Sequence, residues 1–408
     1  MASEKTPLQK LAQSAALSPL EELQPVKKGN SQLNIGIPRE TSFQERRVSL
    51  VPDAVAVLVS NGHRVIVETN AGRNSNFQDK DYSEAGAEIA YSPDSVFKCD
   101  IILKVAPATF DEIEMMGNKQ TIISALQMTV QQKNYFNHLI SKKITGLAFD
   151  FIKDKSGIYP VVRAMSEIAG NTSILIAAEY LSNNNGGKGM MLGGISGVPP
   201  SEVVIIGAGT VGEFAARAAI GLGAQVKVFD NSLYRLRRLQ NDLGVRLPTS
   251  IIEPKTLQKA LETADVLIGA LRSKEGRTPV VVTEEMISSM KFGSVALDIS
   301  IDQGGCFETS YVTNHNNPVF RKYGVTHYCV PNIASSVSHT SSRVLSNIFT
   351  PILLEMGEKG GIEKLLFENH GVRNGVYMYN GIVTHPYIGE TFNIPYKNLD
   401  LLLAASNF

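Results

Sequence analysis

Val203-Val204-Ile205-Ile206-Gly207-Ala208-Gly209-Thr210-Val211-Gly212 is the stretch on which the fold turns. Its four leading apolar residues read as a short strand buried on both faces. Three glycines at G-x-G-x-x-G spacing follow directly, and Glu213–Gly221 reads as the helix they open. Gly207 permits the tight turn, Gly209 lets the backbone approach a pyrophosphate, and Gly212 lets helix and strand pack closely. Thr210 and Val211 fall at the helix N-terminus, where free N–H groups and the positive dipole end suit phosphates. Asp230 ends the next strand, Gln225–Phe229, where an acid accepts hydrogen bonds from the adenine ribose hydroxyls. Its charge repels a 2′-phosphate, so the pattern predicts NAD rather than NADP. A tight structural turn is the alternative. Arg235, with Arg237 and Arg238 behind it, reads either as a solvated helix face or as a contact to the adenosine end of the cofactor.

Strands continue on both sides of this unit. Asp265–Ile268, Ser294–Ile299 and Val325–Val330 extend it towards the C-terminus. Upstream, Asn34–Arg39, Arg64–Glu68, Ile101–Val105, Thr121–Leu126 and Leu147–Phe151 alternate with amphipathic pieces such as Pro52–Asn61 and Gln131–Lys142. Strands separated by helix-length segments imply βαβ units and parallel sheets. A long helix over Ala164–Leu181 crosses between the two series, and Ser342–Glu358 and Ile362–Glu368 return to helix. The expected architecture is therefore α/β: two Rossmann-like, doubly wound parallel-sheet domains with a cleft between them, the first discontinuous. Residues 31–159 and 339–408 form the substrate domain, 160–338 the NAD(H)-binding domain, and 1–30 an N-terminal extension with helical apolar spacing.

At 408 residues the chain suits two or three domains. Hydrophobic residues make up 43% and charged ones 19%, which excludes a disordered chain. Lysine plus arginine and aspartate plus glutamate both number 39, so no electrostatic case exists for nucleic acid or an anionic membrane. No apolar run approaches a membrane span. The N-terminus lacks the apolar core of a signal peptide. Cys99, Cys306 and Cys329 show neither disulfide-framework nor metal-ligand spacing, so no metal is expected and a reducing cytoplasm fits.

Three further stretches resemble the alanine dehydrogenase family, and more distantly the dinucleotide-binding subunit of proton-translocating transhydrogenases. Pro38-Arg39-Glu40, continuing through Glu45-Arg46-Arg47-Val48-Ser49-Leu50-Val51-Pro52, is similar to that family's opening pattern. Leu103-Lys104-Val105 is the second, and Asp298-Ile299-Ser300-Ile301-Asp302-Gln303-Gly304-Gly305-Cys306-Phe307-Glu308 the third. Met165–Gly170 and Gly193–Pro200 also match, and the likeness spans about 31–408. Gly304–Glu308 points to alanine dehydrogenase rather than transhydrogenase.

The chemistry can be weighed beside the resemblance. Oxidative deamination needs a cationic clamp for a carboxylate, an acid/base, and a nicotinamide held against the α-carbon. Arg47 can grip a carboxylate with two parallel N–H bonds. Lys104 ends a strand, where open α/β sheets present ligand groups. Each cation alone reads equally as surface charge; the resemblance implies substrate binding for both and a catalytic place for Lys104. Asp302 reads as a turn cap or, by resemblance, as an active-site acid. Ser166 and Asn332 are expected to face the cofactor on the same ground.

One position departs from the family, whose catalytic histidine gives way to Gln127 in Ser124-Ala125-Leu126-Gln127-Met128. Glutamine donates and accepts hydrogen bonds but carries no proton near neutral pH. Leu271–Gly276 and Pro331–His339 also depart, and His339 is the histidine expected in a loop near the cleft. The expected activity is reversible, NAD-dependent conversion of L-alanine, or a similar small amino acid, to its 2-oxo acid and ammonium. A homo-oligomer follows, a hexamer on the resemblance. Two rivals use the same residues: an altered-specificity or transhydrogenase-like relative, and a non-catalytic NAD(H)-binding sensor.

Overall fold

A computed structural model describes residues 31–405 except 129, 274 and 275. The N-terminal extension at 1–30 and the Lys274-Glu275 pair of the 271–276 loop lie outside the described residues. The first half supplies strands β1 (Asn34–Ile37), β2 (Arg64–Glu68), β3 (Glu88–Ala90), β4 (Ile101–Leu103), β5 (Thr121–Ser124) and β6 (Thr145–Ala148). The second supplies β7 (Glu202–Ile206), β8 (Gln225–Phe229), β9 (Thr249–Ser250), β10 (Val266–Gly269), β11 (Val295–Asp298), β12 (Val319–Lys322) and β13 (Val325–Tyr328). Strands β14 (Val376–Tyr379) and β15 (Ile382–Val383) then return to the first sheet.

In space the first sheet runs β15-β14-β6-β5-β4-β1-β2-β3 and the second β12-β13-β11-β10-β7-β8-β9. β1 to β6 pair in parallel, and β14 and β15 add antiparallel strands at one edge. Each sheet thus contains the doubly wound order whose direction reverses at its first strand, between β1 and β4 and between β7 and β10. Ligands bind outside the carboxyl ends of strands at such reversals. Loops bearing Glu40 and Arg47 leave β1, Lys104 leaves β4, the glycine turn leaves β7 and Arg272 leaves β10.

The central strands are buried on both faces, which is why they read as unbroken apolar runs. The long helix Pro160–Leu181 starts one turn earlier than Ala164 because Pro160 occupies its first turn, with φ already set for helix. It packs on Thr210–Gly221 through Gly170, where a Cβ would meet the Val211 carbonyl at 2.5 Å. The sixth strand spans Thr145–Ala148 instead of Leu147–Phe151; Gly146 lies under the Tyr377 ring of β14, and Phe149–Phe151 turns into a 3₁₀ segment. That segment carries Asp150 off the sheet edge.

The helix Ser338–Lys359 begins before Ser342, so His339 sits in helix rather than loop. Its ring stacks on Phe77 at 4.5 Å and Nδ1 lies 2.8 Å from the Ser75 carbonyl. This helix's serines have a definite task. Val48 N–H donates to Ser342 Oγ (2.9 Å), Val51 N–H to Ser346 Oγ (2.8 Å) and, just upstream, Arg46 N–H to Ser335 Oγ (3.0 Å). The irregular segment around Arg47 thereby satisfies its backbone donors without a sheet partner. Among the described residues, no helix is long and apolar enough to cross a membrane.

Candidate functional site

On the second sheet the glycines behave as their spacing requires. Gly207 has φ 109°, and a Cβ there would lie 2.4 Å from the Ala270 carbonyl. At Gly212 a Cβ would lie 1.8 Å from the Gly207 carbonyl, so only glycine fits. Nothing stands within 4 Å of where a Gly209 Cβ would project, and that residue caps the helix Thr210–Gly221 without a side-chain bond. The open cradle and free N–H groups fit a pyrophosphate. Buried Asp230 accepts from Ala208 N–H (2.8 Å) and Ser232 N–H (2.7 Å), which fixes its carboxylate beside the turn. Arg235, about half exposed, lies 3.7 Å from Asp230, and Arg238 donates to the Ala208 carbonyl. Ser166, Gly209, Thr210, Val211, Arg235 and Arg272 line one cavity of about 330 Å³. Ser166 bonds back to the Val162 carbonyl, so its hydroxyl is oriented at the cavity wall.

The first sheet presents a charged group at its own reversal. Arg47 and Glu45 form a forked pair, Nε to Oε1 at 2.8 Å and Nη2 to Oε2 at 2.6 Å. Burial opposes charge on Glu45, yet Arg47 prevails and lowers its pKa. Asn332, held at φ 55°, donates its amide to Glu45 (2.9 Å) and its backbone N–H to Asp302 (3.1 Å). It therefore joins the Arg47 pair to Asp302 across the two sheets. Asn332, expected to face the cofactor, uses its amide nitrogen to hold Glu45 of the clamp. Asp302 keeps solvent access in the 3₁₀ turn after β11, but protein surrounds it closely and that desolvation raises its pKa.

Lys104 is placed differently from what its motif implied. Its side chain has no exposed surface, and Nζ lies 2.9 Å from Glu112 and 3.3 Å from Glu40. Burial disfavours the ammonium, but the two carboxylates outweigh it and raise its pKa. Glu40 in turn accepts from Val105 N–H (2.6 Å) and Ala106 N–H (3.3 Å). In this arrangement two of the three ammonium donors of Lys104 face Glu112 and Glu40, beneath the loop after β4.

Gln127 follows β5, exposed, with left-handed φ 48°. The Gly304–Glu308 loop is held by Asp298, which accepts from Cys306 N–H, Phe307 N–H and Ser310 Oγ. His327 is satisfied by Thr309 Oγ1 and the Val325 carbonyl, as expected of a sheet residue. The backbone N–H of His315, in the second half, also reaches the first, donating to Gln44 Oε1 at 2.7 Å. The partners Glu40, Glu45, Glu112 and Asp298 carry no signal of their own in the sequence, although Glu40, Glu45 and Asp298 lie within the 38–52 and 298–308 motifs.

Two Rossmann-type sheets facing each other across their reversal points, one with a nucleotide cradle, define a nucleotide-binding oxidoreductase of the dehydrogenase class. The family models described as Alanine dehydrogenase/PNT, N-terminal domain, and Alanine dehydrogenase/PNT, C-terminal domain, match residues 36–169 and 173–386. The chain belongs to the alanine dehydrogenase/PNT family. Alanine dehydrogenase of Staphylococcus epidermidis is 38% identical over 369 residues, covering 90% of this chain and 99% of its own. Alanine dehydrogenase 2 of Staphylococcus aureus gives the same identity and coverage. A solved L-alanine dehydrogenase superposes with TM-score 0.83 at 34% identity, covering 88% of this chain and 99% of its own. The transhydrogenase from Sinorhizobium meliloti shares the fold, with TM-score 0.74 at 24% identity over 86% of this chain and 99% of its own.

Proposed function

We propose that this protein oxidatively deaminates L-alanine, or a similar small amino acid, with NAD, and runs the reaction reversibly. The observation that carries this reading is the bridge Arg47–Glu45–Asn332–Asp302, which brings a guanidinium and a carboxylate together opposite the glycine cradle. Gly207, Gly209, Thr210, Val211 and Gly212 would hold the pyrophosphate, and Asp230 the ribose hydroxyls. Arg235 and Ser166 would border the same dinucleotide. When bound, NAD supplies a hydride acceptor.

Glu45 occupies Nε and one Nη2 donor of Arg47 and Met165 Sδ lies 3.3 Å from Nη1, so a substrate carboxylate would take the remaining Nη1 and Nη2 donors. Asp302 orients the amine and an attacking water. Lys104 acts here as a positioning residue, neutralising Glu40 so that Glu40 can hold Val105 and Ala106. Gln127 hydrogen-bonds a substrate oxygen without carrying its proton. We divide the chain as 31–159 with 339–408 for substrate and 160–338 for dinucleotide, and take the protein as a cytoplasmic homo-oligomer, a hexamer by family.

A second reading, an altered-specificity relative acting on another 2-oxo acid, is favoured by Gln127 and by Arg272, whose guanidinium lines the dinucleotide cavity. A panel of amino acids with NAD, and of 2-oxo acids with NADH and ammonium, separates the two. Alanine and pyruvate turn over fastest on the first reading. Preference for a larger or dicarboxylic partner supports the second, and no turnover with NAD still bound refutes both.

A further inference from the structure

The proposed reaction depends on where Arg47 points, and the loop that carries it is held from outside its own sheet. Gln44, just upstream of Arg47, has φ 57°, a left-handed backbone that a long side chain keeps only when its surroundings fix it. Ser335 fixes it. Its hydroxyl donates to the Gln44 carbonyl at 2.8 Å and accepts the Arg46 N–H at 3.0 Å. A hydroxyl has one proton to give, and this one is directed at Gln44. Ser335 has no exposed surface and lies in the 3₁₀ segment Ile333–Val337, after β13 of the second sheet. Two further bonds run the same way. The backbone N–H of His315 donates to Gln44 Oε1 at 2.7 Å, and the Asn332 amide donates to Glu45 at 2.9 Å.

We infer that Ser335 is a positioning residue for the Arg47 clamp, a role that rests on the amino-acid dehydrogenase reading above. Its one hydroxyl spans residues 44 and 46 and so brackets Glu45, whose carboxylate forks the Arg47 guanidinium at 2.8 and 2.6 Å. The loop leaves β1, but the 332–335 segment of the other sheet sets its course. Removing the hydroxyl takes one partner from the Gln44 carbonyl and one from the Arg46 N–H. The backbone on either side of Glu45 then turns towards other partners, because unpaired polar groups are costly. That turn carries the Glu45 carboxylate and the guanidinium it holds. A fork that grips a carboxylate through two parallel N–H bonds tolerates little rotation. Ser342 Oγ holds the Val48 N–H from the other side at 2.9 Å, which confines the disturbance to residues 44–47. Ser335 falls within Pro331–His339, one of the stretches that depart from the family pattern, and this gives that departure a task.

The test measures Ser335→Ala in two backgrounds, wild type and Arg47→Lys, with the best amino acid and NAD. In wild type the inference expects KM for the amino acid to rise about tenfold or more, while NAD affinity stays within about twofold. In Arg47→Lys, which has no fork left to aim, the same substitution should cost less than about twofold in kcat/KM. A serine that only braced the fold would weaken NAD as well, or lower kcat/KM equally in both backgrounds. Either result, or an unchanged KM, overturns the inference. If Ser335→Ala does not fold, Ser335→Cys, which keeps the size and weakens both bonds, is read by the same criteria. A wild type that oxidises no amino acid overturns the functional reading alone, and a crystal structure of the folded Ser335 variant then decides this one. Residues 44–47 displaced together with the Arg47 fork support it; a loop that superposes on the wild type overturns it.

Discussion

Replacing Lys104 with methionine keeps the aliphatic stem and removes only the charge. Glu40 and Glu112 then face each other inside the protein without their cation, at positions 3.3 and 2.9 Å from where it stood. Breaking a buried ion pair by removing one partner costs about 3–5 kcal/mol, because the remaining charge is left uncompensated. Burial already holds the Glu40 pKa above the usual carboxylate value with Lys104 present. Without it Glu40 binds its proton still more tightly in the folded state than in the unfolded chain. Its ionisation therefore destabilises the variant as pH rises, and the deficit shrinks as pH falls and the carboxyl protonates. Adding Glu40→Gln and Glu112→Gln should recover much of the loss at pH 7.5. The chain has no tryptophan, so urea unfolding is followed by circular dichroism at pH 7.5 and 5.5. If Lys104→Met unfolds within about 0.5 kcal/mol of wild type while KM for the amino acid rises tenfold, the ammonium serves the substrate and the buried-cluster reasoning fails.

Four other substitutions have defined outcomes. Gly212→Ala drives a Cβ into the Gly207 carbonyl and should unfold the second sheet's first turn, whereas Gly209→Ala meets no protein atom and should fold normally but bind NAD weakly; thermal melts and calorimetry separate the two. Asp230→Asn should weaken NAD by about 1.5–3 kcal/mol and relax discrimination against NADP, and tighter NADP than NAD binding in wild type would remove Asp230 from the account. Asp150 has its pKa raised to about 6 from 3.8, so its ionisation costs stability between those values, and Asp150→Asn should gain about 1–3 kcal/mol at pH 7.5 and nothing near pH 4.

Local signals were the legible ones. Gly212 answers to the Gly207 carbonyl within the same βαβ unit, and Asp230 to the turn itself, so order along the chain sufficed. Lys104 was not legible in the same way. Whether a cation ending a strand meets solvent or carboxylates depends on Glu40, which arrives from another strand. Asp150 was hidden by an apolar run that reads as strand through Phe151, whereas β6 ends at Ala148 and Phe149–Phe151 turns into a 3₁₀ segment. The serines at 335, 342 and 346 look like poor helix or loop formers in isolation. Their value emerges only with the 46–51 segment against them.

The most direct measurement is alanine-dependent reduction of NAD, read at the nicotinamide absorbance band, in wild type and in Gln127→His. Left-handed backbone at 127 accommodates histidine as readily as glutamine, so the substitution adds a titrating group without refolding the rim. The account predicts measurable but slow alanine turnover in wild type, increased in Gln127→His. Fast turnover in wild type that Gln127→His abolishes would place the proton path through glutamine's surroundings as they stand. No turnover in either protein, with NAD bound, would contradict the amino-acid dehydrogenase assignment.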